Sequence, residues 1–321
     1  MTSGTTGAET PQNIDQHTGP GPNVDIAKKR RQIDLVKKFR EEKLFAFGVI
    51  VVALSIFLAF FGPVIAPYDP TLATGDVSFA PPSLLKWPTL FWQTITGQLD
   101  QPPHWFGTDN SGLDIFSRTI AAPRTDMTIA LLAALVSLVA GTVLGLVAGF
   151  YKNWATEVLM RTSDLMQAFP VFITAMILVA LAGRNTSNII LALGLVYTPI
   201  FVRLTRAEVL GQKTRGYVTA ARAVGNREWV VAFRHVLPNS VVPSLIQTST
   251  TIGFAILLTA GLSFVGAGVR PPTPEWGSMI ALGSQQIILG EWWQSVFPGI
   301  AISLTVFGFA TVGHGLEEEY R

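Results

Sequence analysis

The sequence contains no cysteine, which excludes disulfides, iron–sulfur clusters and thiol catalysis. Charge is scarce too: 14% of the 321 residues are Asp, Glu, Lys or Arg, 49% fall in the hydrophobic set, and mean hydropathy is +0.41. An ordinary soluble domain is thereby excluded. With 23 basic residues against 21 acidic ones, no global field exists to gather nucleic acid, and only the placement of charge is informative. Catalytic signatures are missing as well. There is no H-E-x-x-H zinc motif, no G-x-S-x-G nucleophile elbow and no G-x-x-x-x-G-K-[ST] phosphate loop, Gly211-Gln212-Lys213-Thr214 being an uninformative fragment of the last. The four histidines, His17, His104, His235 and His314, are scattered without metal-ligand spacing.

What the chain has is apolar blocks of membrane-crossing length, which need about 20 residues for a hydrocarbon core about 30 Å thick. Six are expected, at 44–66, 127–150, 165–183, 189–202, 245–269 and 295–316, the fourth being short. None contains Asp, Glu, Lys or Arg, which argues against a proton- or sodium-coupled carrier. If the amino terminus is cytoplasmic, 18 of the 23 basic residues lie inside, so the positive-inside rule puts both termini in the cytoplasm. The first block is an uncleaved anchor, because it follows more than 40 mostly polar residues and lacks a cleavage signature.

The expected organisation is all-α and polytopic. Residues 1–24 are a polar tail unable to offset ordering entropy, and 25–43 a basic helix suited to an anionic lipid surface or else simply solvated. The first span, 44–66, is followed by an extracytoplasmic loop at 67–126. A five-helix core then occupies 127–316, and 317–321 form a cytoplasmic tail. Gly141, Gly145 and Gly149 form one file, read as a helix-packing surface or as a sliding ridge. The uncharged polar residues Gln167, Thr174, Thr248, Ser249 and Thr251 either line a translocation path or bond between helices.

The inside loop at 203–243 is the most informative segment. It reads as a short helix from about Gly216 to Val224, a glycine turn at Gly225, and a second helix from Arg227 to Val236 that Pro238 stops. A compact helix held off the bilayer by a fixed turn suits a groove on a partner; a helical pair lying on the membrane is the other reading.

The run Thr219-Ala220-Ala221, three residues, Gly225, nine residues, His235-Val236-Leu237-Pro238 resembles the EAA loop of bacterial ATP-binding-cassette importer permeases, whose pattern is E-A-A, three residues, G, nine residues, I-x-L-P. Thr219 stands for the Glu and His235 for the Ile. FGTDNSGLDIFSR at 106–118 is similar to the G-T-D-x-x-G-R-D-x-x-S-R signature of the second permease subunit in the dipeptide, oligopeptide and nickel branch, with Leu113 for Arg. LSFVGAGVRPPTPEWGSMI at 262–280 resembles that subunit's L-S-F-L-G-x-G-x-x-P-P-x-P-x-W-G segment, and GHGLEEEYR its carboxyl end, with His314 for Asp. The likeness covers about 44–316.

The resemblance implies one half of a heterodimeric import channel in a bacterial or archaeal cytoplasmic membrane. It implies a homologous second permease, two ATPase subunits that hold ATP and Mg, and an extracytoplasmic substrate-binding protein. This chain itself would carry no cofactor and catalyse nothing. The coupling residues it implies are Thr219, Ala220, Ala221, Arg222, Ala223, Gly225, His235, Leu237 and Pro238. Short peptides are the implied cargo, with nickel, opines or oligosaccharides as alternatives. A stand-alone channel or carrier is the rival from another class, and an intramembrane enzyme a third.

Overall fold

A computed structural model describes residues 35–320. The expected tail at 1–24 and most of the expected basic helix at 25–43 lie outside the described residues. The described part is mostly helical, the sole β pairing among the described residues being an isolated bridge between Thr108 and Asp114.

In chain order the helices are α1 (Leu35–Glu41), α2 (Lys43–Ile65), α3 (Trp87–Ile95), α4 (Ile115–Phe150), α5 (Trp154–Ala168), α6 (Val171–Ala182), α7 (Thr186–Gln212), α8 (Gly216–Ala223), α9 (Glu228–Val230), α10 (Leu237–Ser240), α11 (Val242–Phe264), α12 (Trp276–Ser284) and α13 (Trp293–Tyr320). Among the described residues five of these, α2, α4, α7, α11 and α13, are long and apolar enough to cross a membrane. A sixth span exists only if α5 and α6 are counted together, and they meet at 99°.

That bend falls inside the single span expected over 165–183 and divides it into two arms. Pro170 has no N–H and disfavours helical geometry at the residue before it, and Phe169 is accordingly extended at φ −90°, ψ 145°. Neither arm spans alone, since the 12 residues of α6 rise only about 18 Å.

Other boundaries moved outward. α4 begins inside the segment expected as a loop to 126, because Asp114 caps it by accepting from the Ser117 N–H at 2.7 Å. α7 is 27 residues long where 14 were expected, capped at its start by Asn185 and continuing through Arg203 and Arg206 to Gln212. The first ten residues of the expected inside loop at 203–243 are therefore the last turns of that helix. The expected tail at 317–321 is helical as far as Tyr320, its last described residue.

The broadest packing is α4 against α7. The glycine file explains it: a Cβ on Gly141 would lie 2.3 Å from the Phe201 Cβ, and one on Gly145 would lie 2.6 Å from the Val202 carbonyl oxygen. Only glycine allows the backbones this close. Ser137, on the same helix, donates to the Gly194 carbonyl of α7 at 2.8 Å. α2 packs on α4 and α13, and α11 on α13 and α4, so that α4 is the central post of the bundle. The outer faces of these helices, such as Phe60 and Val64 on α2 and Leu135 and Val139 on α4, remain exposed and apolar, as a lipid-facing surface must be.

The two sequence signatures distant from α8 interlock at the opposite end of the bundle. Arg118 donates to the carbonyls of Pro70 at 2.9 Å and Pro272 at 3.0 Å, and the Trp276 indole donates to the Thr119 carbonyl at 3.0 Å. Their role in this fold is to staple loops onto the first turns of α4.

Candidate functional site

α8 is a knob on one end of the bundle. Its eight residues are Ala-rich, and Val218 and Ala221, three apart, are buried on one face while Thr219, Ala220, Arg222 and Ala223 are exposed on the others. The buried face sits in an apolar cluster formed by Leu146 and Phe150 of α4, Val209 of α7 and Val231, Ala232 and Val236 beyond the turn. The knob thus rests directly on the ends of α4 and α7, the pair with the broadest packing.

Gly225 makes the turn. Its φ of +88° is in the left-handed region, which costs little only for glycine. Asn226 locks the turn by donating its side-chain amide to the Ala221 carbonyl at 2.9 Å, and Val224 and Gly225 N–H groups bond back to Ala220 and Arg222. Arg222 then grips Glu228 through two hydrogen bonds, of 2.9 and 3.1 Å, fixing α8 against α9. Its guanidinium also lies over the Phe150 ring, 5.5 Å from the centroid. The outcome is an exposed rim of Thr219, Ala220, Ala223 and Val224, the last 83% exposed, continued by Trp229 and Phe233. Small and apolar residues held rigidly at a bundle end suit a groove.

Pro238 does not stop the helix as expected. The chain runs from α9 through a π-helical turn at Val231–Val236 into α10, with Pro238 in the first turn of α10 where no N–H is required. His235 is half-buried in that π turn, and its carbonyl accepts from the Asn239 side chain at 2.7 Å. Leu237 packs against the apolar cluster, and Pro238 is exposed. The expected coupling residues therefore divide: those from 219 to 225 form the knob, and His235, Leu237 and Pro238 belong to its return limb.

Contacts the sequence did not reveal join the knob to the bundle. Lys213 donates to the Gly149 and Phe150 carbonyls at 3.3 and 2.9 Å, capping α4. Burial, with Lys152 and Arg222 nearby, holds its ammonium below the usual lysine range. Thr205 on α7 and Ser244 on α11 share a buried hydrogen bond of 2.9 Å, so the helix that enters the knob and the helix that leaves it are bonded to each other.

The hydroxyls among the candidate path residues are all hydrogen-bonded: Ser249 donates across to the Phe309 carbonyl of α13 at 3.1 Å, and Thr174, Thr248 and the buried Thr251 bond the carbonyls four residues before them. Gln167, Thr174 and Thr248 are half-exposed, and the Gln167 side-chain nitrogen is enclosed without a partner. Near Gln167, on the side of the bundle that carries α8, a cavity of ≈ 870 Å³ opens between α4, α5 and α7. It is lined by Lys152, Glu157, Arg161, Asp164, Arg203 and Arg206, and Arg203 bonds Asp164 at 2.9 Å. Its basic residues, Lys152, Arg161, Arg203 and Arg206, are among those expected on the inside.

A family profile described as "Binding-protein-dependent transport system inner membrane component" matches residues 141–317, which holds α8, its glycine turn and the return limb. The chain belongs to that family. A second profile, the "N-terminal TM domain of oligopeptide transport permease C", matches residues 33–82, so the permease is of the two-profile type. The permease is 34% identical over 282 residues to the "Dipeptide transport system permease protein DppC" of Alkalihalophilus pseudofirmus, covering 88% of this chain and 86% of that one. It is 35% identical over 302 residues to the "Di/tripeptide transport system permease protein DppC" of Pseudomonas aeruginosa, covering 94% and 95%. It is 38% identical over 280 residues to the "Dipeptide transport system permease protein DppC" of Escherichia coli, covering 87% and 89%.

Proposed function

We propose that this permease is one of two homologous membrane subunits of an ATP-binding-cassette importer, and that it passes di- or oligopeptides into the cell. Two separate ATPase subunits supply the energy and bind ATP and Mg, and an extracytoplasmic binding protein delivers the cargo. Both termini and α8 face the cytoplasm, in line with the basic residues gathered on that side. The relatives named for peptides, each matched over most of its length, favour peptides over nickel, opines or oligosaccharides.

The observation that carries this reading is the knob with its rigid mounting. Thr219, Ala220, Ala223 and Val224 seat in the ATPase, whose closure on ATP pushes α8. Because Val218 and Ala221 are wedged against α4 and α7, and Thr205 is bonded to Ser244, the displacement is transmitted to α4, α7 and α11 as a unit. Binding energy becomes transport only if the groove contacts differ between the two states. The charged cavity by Arg203 and Asp164 is the inner mouth of the path, completed by the second permease, and Gln167, Thr174 and Thr248 are the polar groups of this chain that line the rest of it.

The test is reconstitution. The permease, its homologous partner and the ATPases, placed in liposomes with the binding protein, should take up labelled dipeptide only with ATP. Uptake by this chain alone would instead support a stand-alone carrier and overturn the reading.

A further inference from the structure

We propose that Asp126 of α4 and Glu275 at the start of α12 form a one-proton site that latches α12 onto the bundle, at the end away from the knob. The site is independent of the cargo and of the coupling mechanism.

Both side chains are buried, Asp126 at 1% and Glu275 at 0% exposure. Glu275 caps α12: one carboxylate oxygen accepts from the Gly277 N–H at 2.8 Å and the other from the Ser278 N–H at 2.7 Å. Asp126 accepts the neighbouring N–H, that of Trp276, at 3.2 Å through Oδ2. Three successive N–H groups of one helix end are thus shared by two carboxyl groups. The remaining oxygen, Asp126 Oδ1, is enclosed without any donor, and because the two carboxyl groups hold adjacent N–H groups of one helix end they lie side by side. Two contacting carboxylates, both ionised and both dry, repel strongly in the absence of a cation.

Among the described residues no cation is at hand. On α4, Arg118 is committed to the Pro70 and Pro272 carbonyls and Arg124 is exposed. Arg270, in the loop before Glu275, is exposed. α11 and α12 contain no ionisable side chain, α2 only Lys43 at its far end, and α13 only His314, Glu317, Glu318, Glu319 and Tyr320 at its far end. Glu291, ahead of α13, bonds Ser78 and Gln294. The only polar addition from α11 is Ser263.

A single proton resolves the conflict. Since both Glu275 oxygens are already acceptors of N–H bonds, the proton belongs on Asp126 Oδ1, where it converts an orphaned acceptor into a donor toward Glu275. Burial pushes the Glu275 carboxyl above the ordinary carboxylate range, in the same sense. Above that ordinary range the folded chain keeps a proton that the unfolded chain has released. Stability is therefore full in acid and declines as pH rises through the folded value, by up to about tenfold in the folded-to-unfolded ratio per pH unit. α12 packs on α11, α13 and α4, so releasing the proton loosens a joint of three spanning helices.

The test uses the purified full-length permease. Infrared spectra at neutral pH should contain a protonated-carboxyl C=O band that disappears in Asp126→Asn, whose amide reproduces both the acceptor and the donor. Wild type should lose thermal stability as the medium is made alkaline, and Asp126→Asn should lose that slope. Glu275→Gln, which cannot accept on both sides of its head, should be less stable than Asp126→Asn at every pH. If Asp126→Asn fails to accumulate, loss of the wild-type band between neutral and alkaline pH serves in its place. Absence of the band in wild type, an unchanged slope in Asp126→Asn, or recovery of alkaline stability by added Na+ or Mg2+ would overturn the proposal, the last by assigning a metal ion instead.

Discussion

Replacing Gly225 should weaken the knob without creating a clash. A Cβ at this position would meet no atom within 4 Å, so the penalty is one of backbone conformation alone. At φ +88° an L-residue with a side chain pays about 1–2 kcal/mol. That is about 5- to 30-fold in the ratio of the turned state to alternatives. The Asn226 bond to Ala221 and the Arg222–Glu228 pair hold the turn from either side, so the turn should persist as a smaller population rather than vanish. Asn tolerates the left-handed region better than Ala, and a β-branched residue tolerates it worst. Recovery of ATPase subunits on a tagged permease should then fall in the order Gly, Asn, Ala, Val, with membrane levels of the permease unchanged. If Ala and Val pull down as much ATPase as wild type, or if Asn is as poor as Val, the conformational argument is wrong.

The α4–α7 contact should be intolerant of a single methyl group. Gly145→Ala places a carbon 2.6 Å from the Val202 carbonyl oxygen and 2.8 Å from the Thr205 Cβ, so the helices must part, at a cost of about 1–3 kcal/mol read as a lower melting temperature in detergent. Thr205→Val should cost a similar 1–3 kcal/mol by stranding the Ser244 hydroxyl, although that hydroxyl can turn toward a carbonyl of its own helix. The double variant Thr205→Val with Ser244→Ala should be more stable than the sum of its parts predicts, and strict additivity would mean the bond does not couple α7 to α11. Arg222→Gln should change stability by less than about 1 kcal/mol, because its partner Glu228 is 54% exposed and solvent screens the pair. A larger loss of melting temperature would mean that the guanidinium stacked on Phe150 contributes more than the ion pair.

Hydrophobic length alone made α2, α4, α11 and α13 legible, because a hydrocarbon core imposes a minimum on each run. The shape of the knob was legible for a different reason, alanine favouring a helix and glycine a left-handed turn, whereas its use as a contact came from the resemblance to the EAA loop. The failures have local causes. Pro170 sits inside an apolar run whose hydropathy hides the break, and Pro238 was read as a stop although a proline is equally at home in a first turn. Arg203 and Arg206 end the apolar block but not the helix, since arginine is a good helix former. Asp126 escaped notice because it stands one residue before an apolar block and its partner Glu275 is distant in sequence, so only the folded chain brings the two carboxyl groups together. Ser249 and Thr251 illustrate the same limit: a polar residue in a span has a face, and that face is fixed by packing against α13 and within α11 rather than by composition.

The central claim is that the exposed rim of α8 is the contact for a separate motor on the cytoplasmic side. The chain has no cysteine of its own, so one introduced thiol reports without background. Ala223→Cys is on the exposed face and Ala221→Cys on the buried one, two residues away. In inverted membrane vesicles containing the whole transporter, a short thiol cross-linker should join the Ala223→Cys variant to an ATPase subunit and leave the Ala221→Cys variant unlinked. Labelling of Ala223→Cys by a membrane-impermeant reagent in intact, right-side-out cells, with no cross-link to any ATPase, would contradict the account.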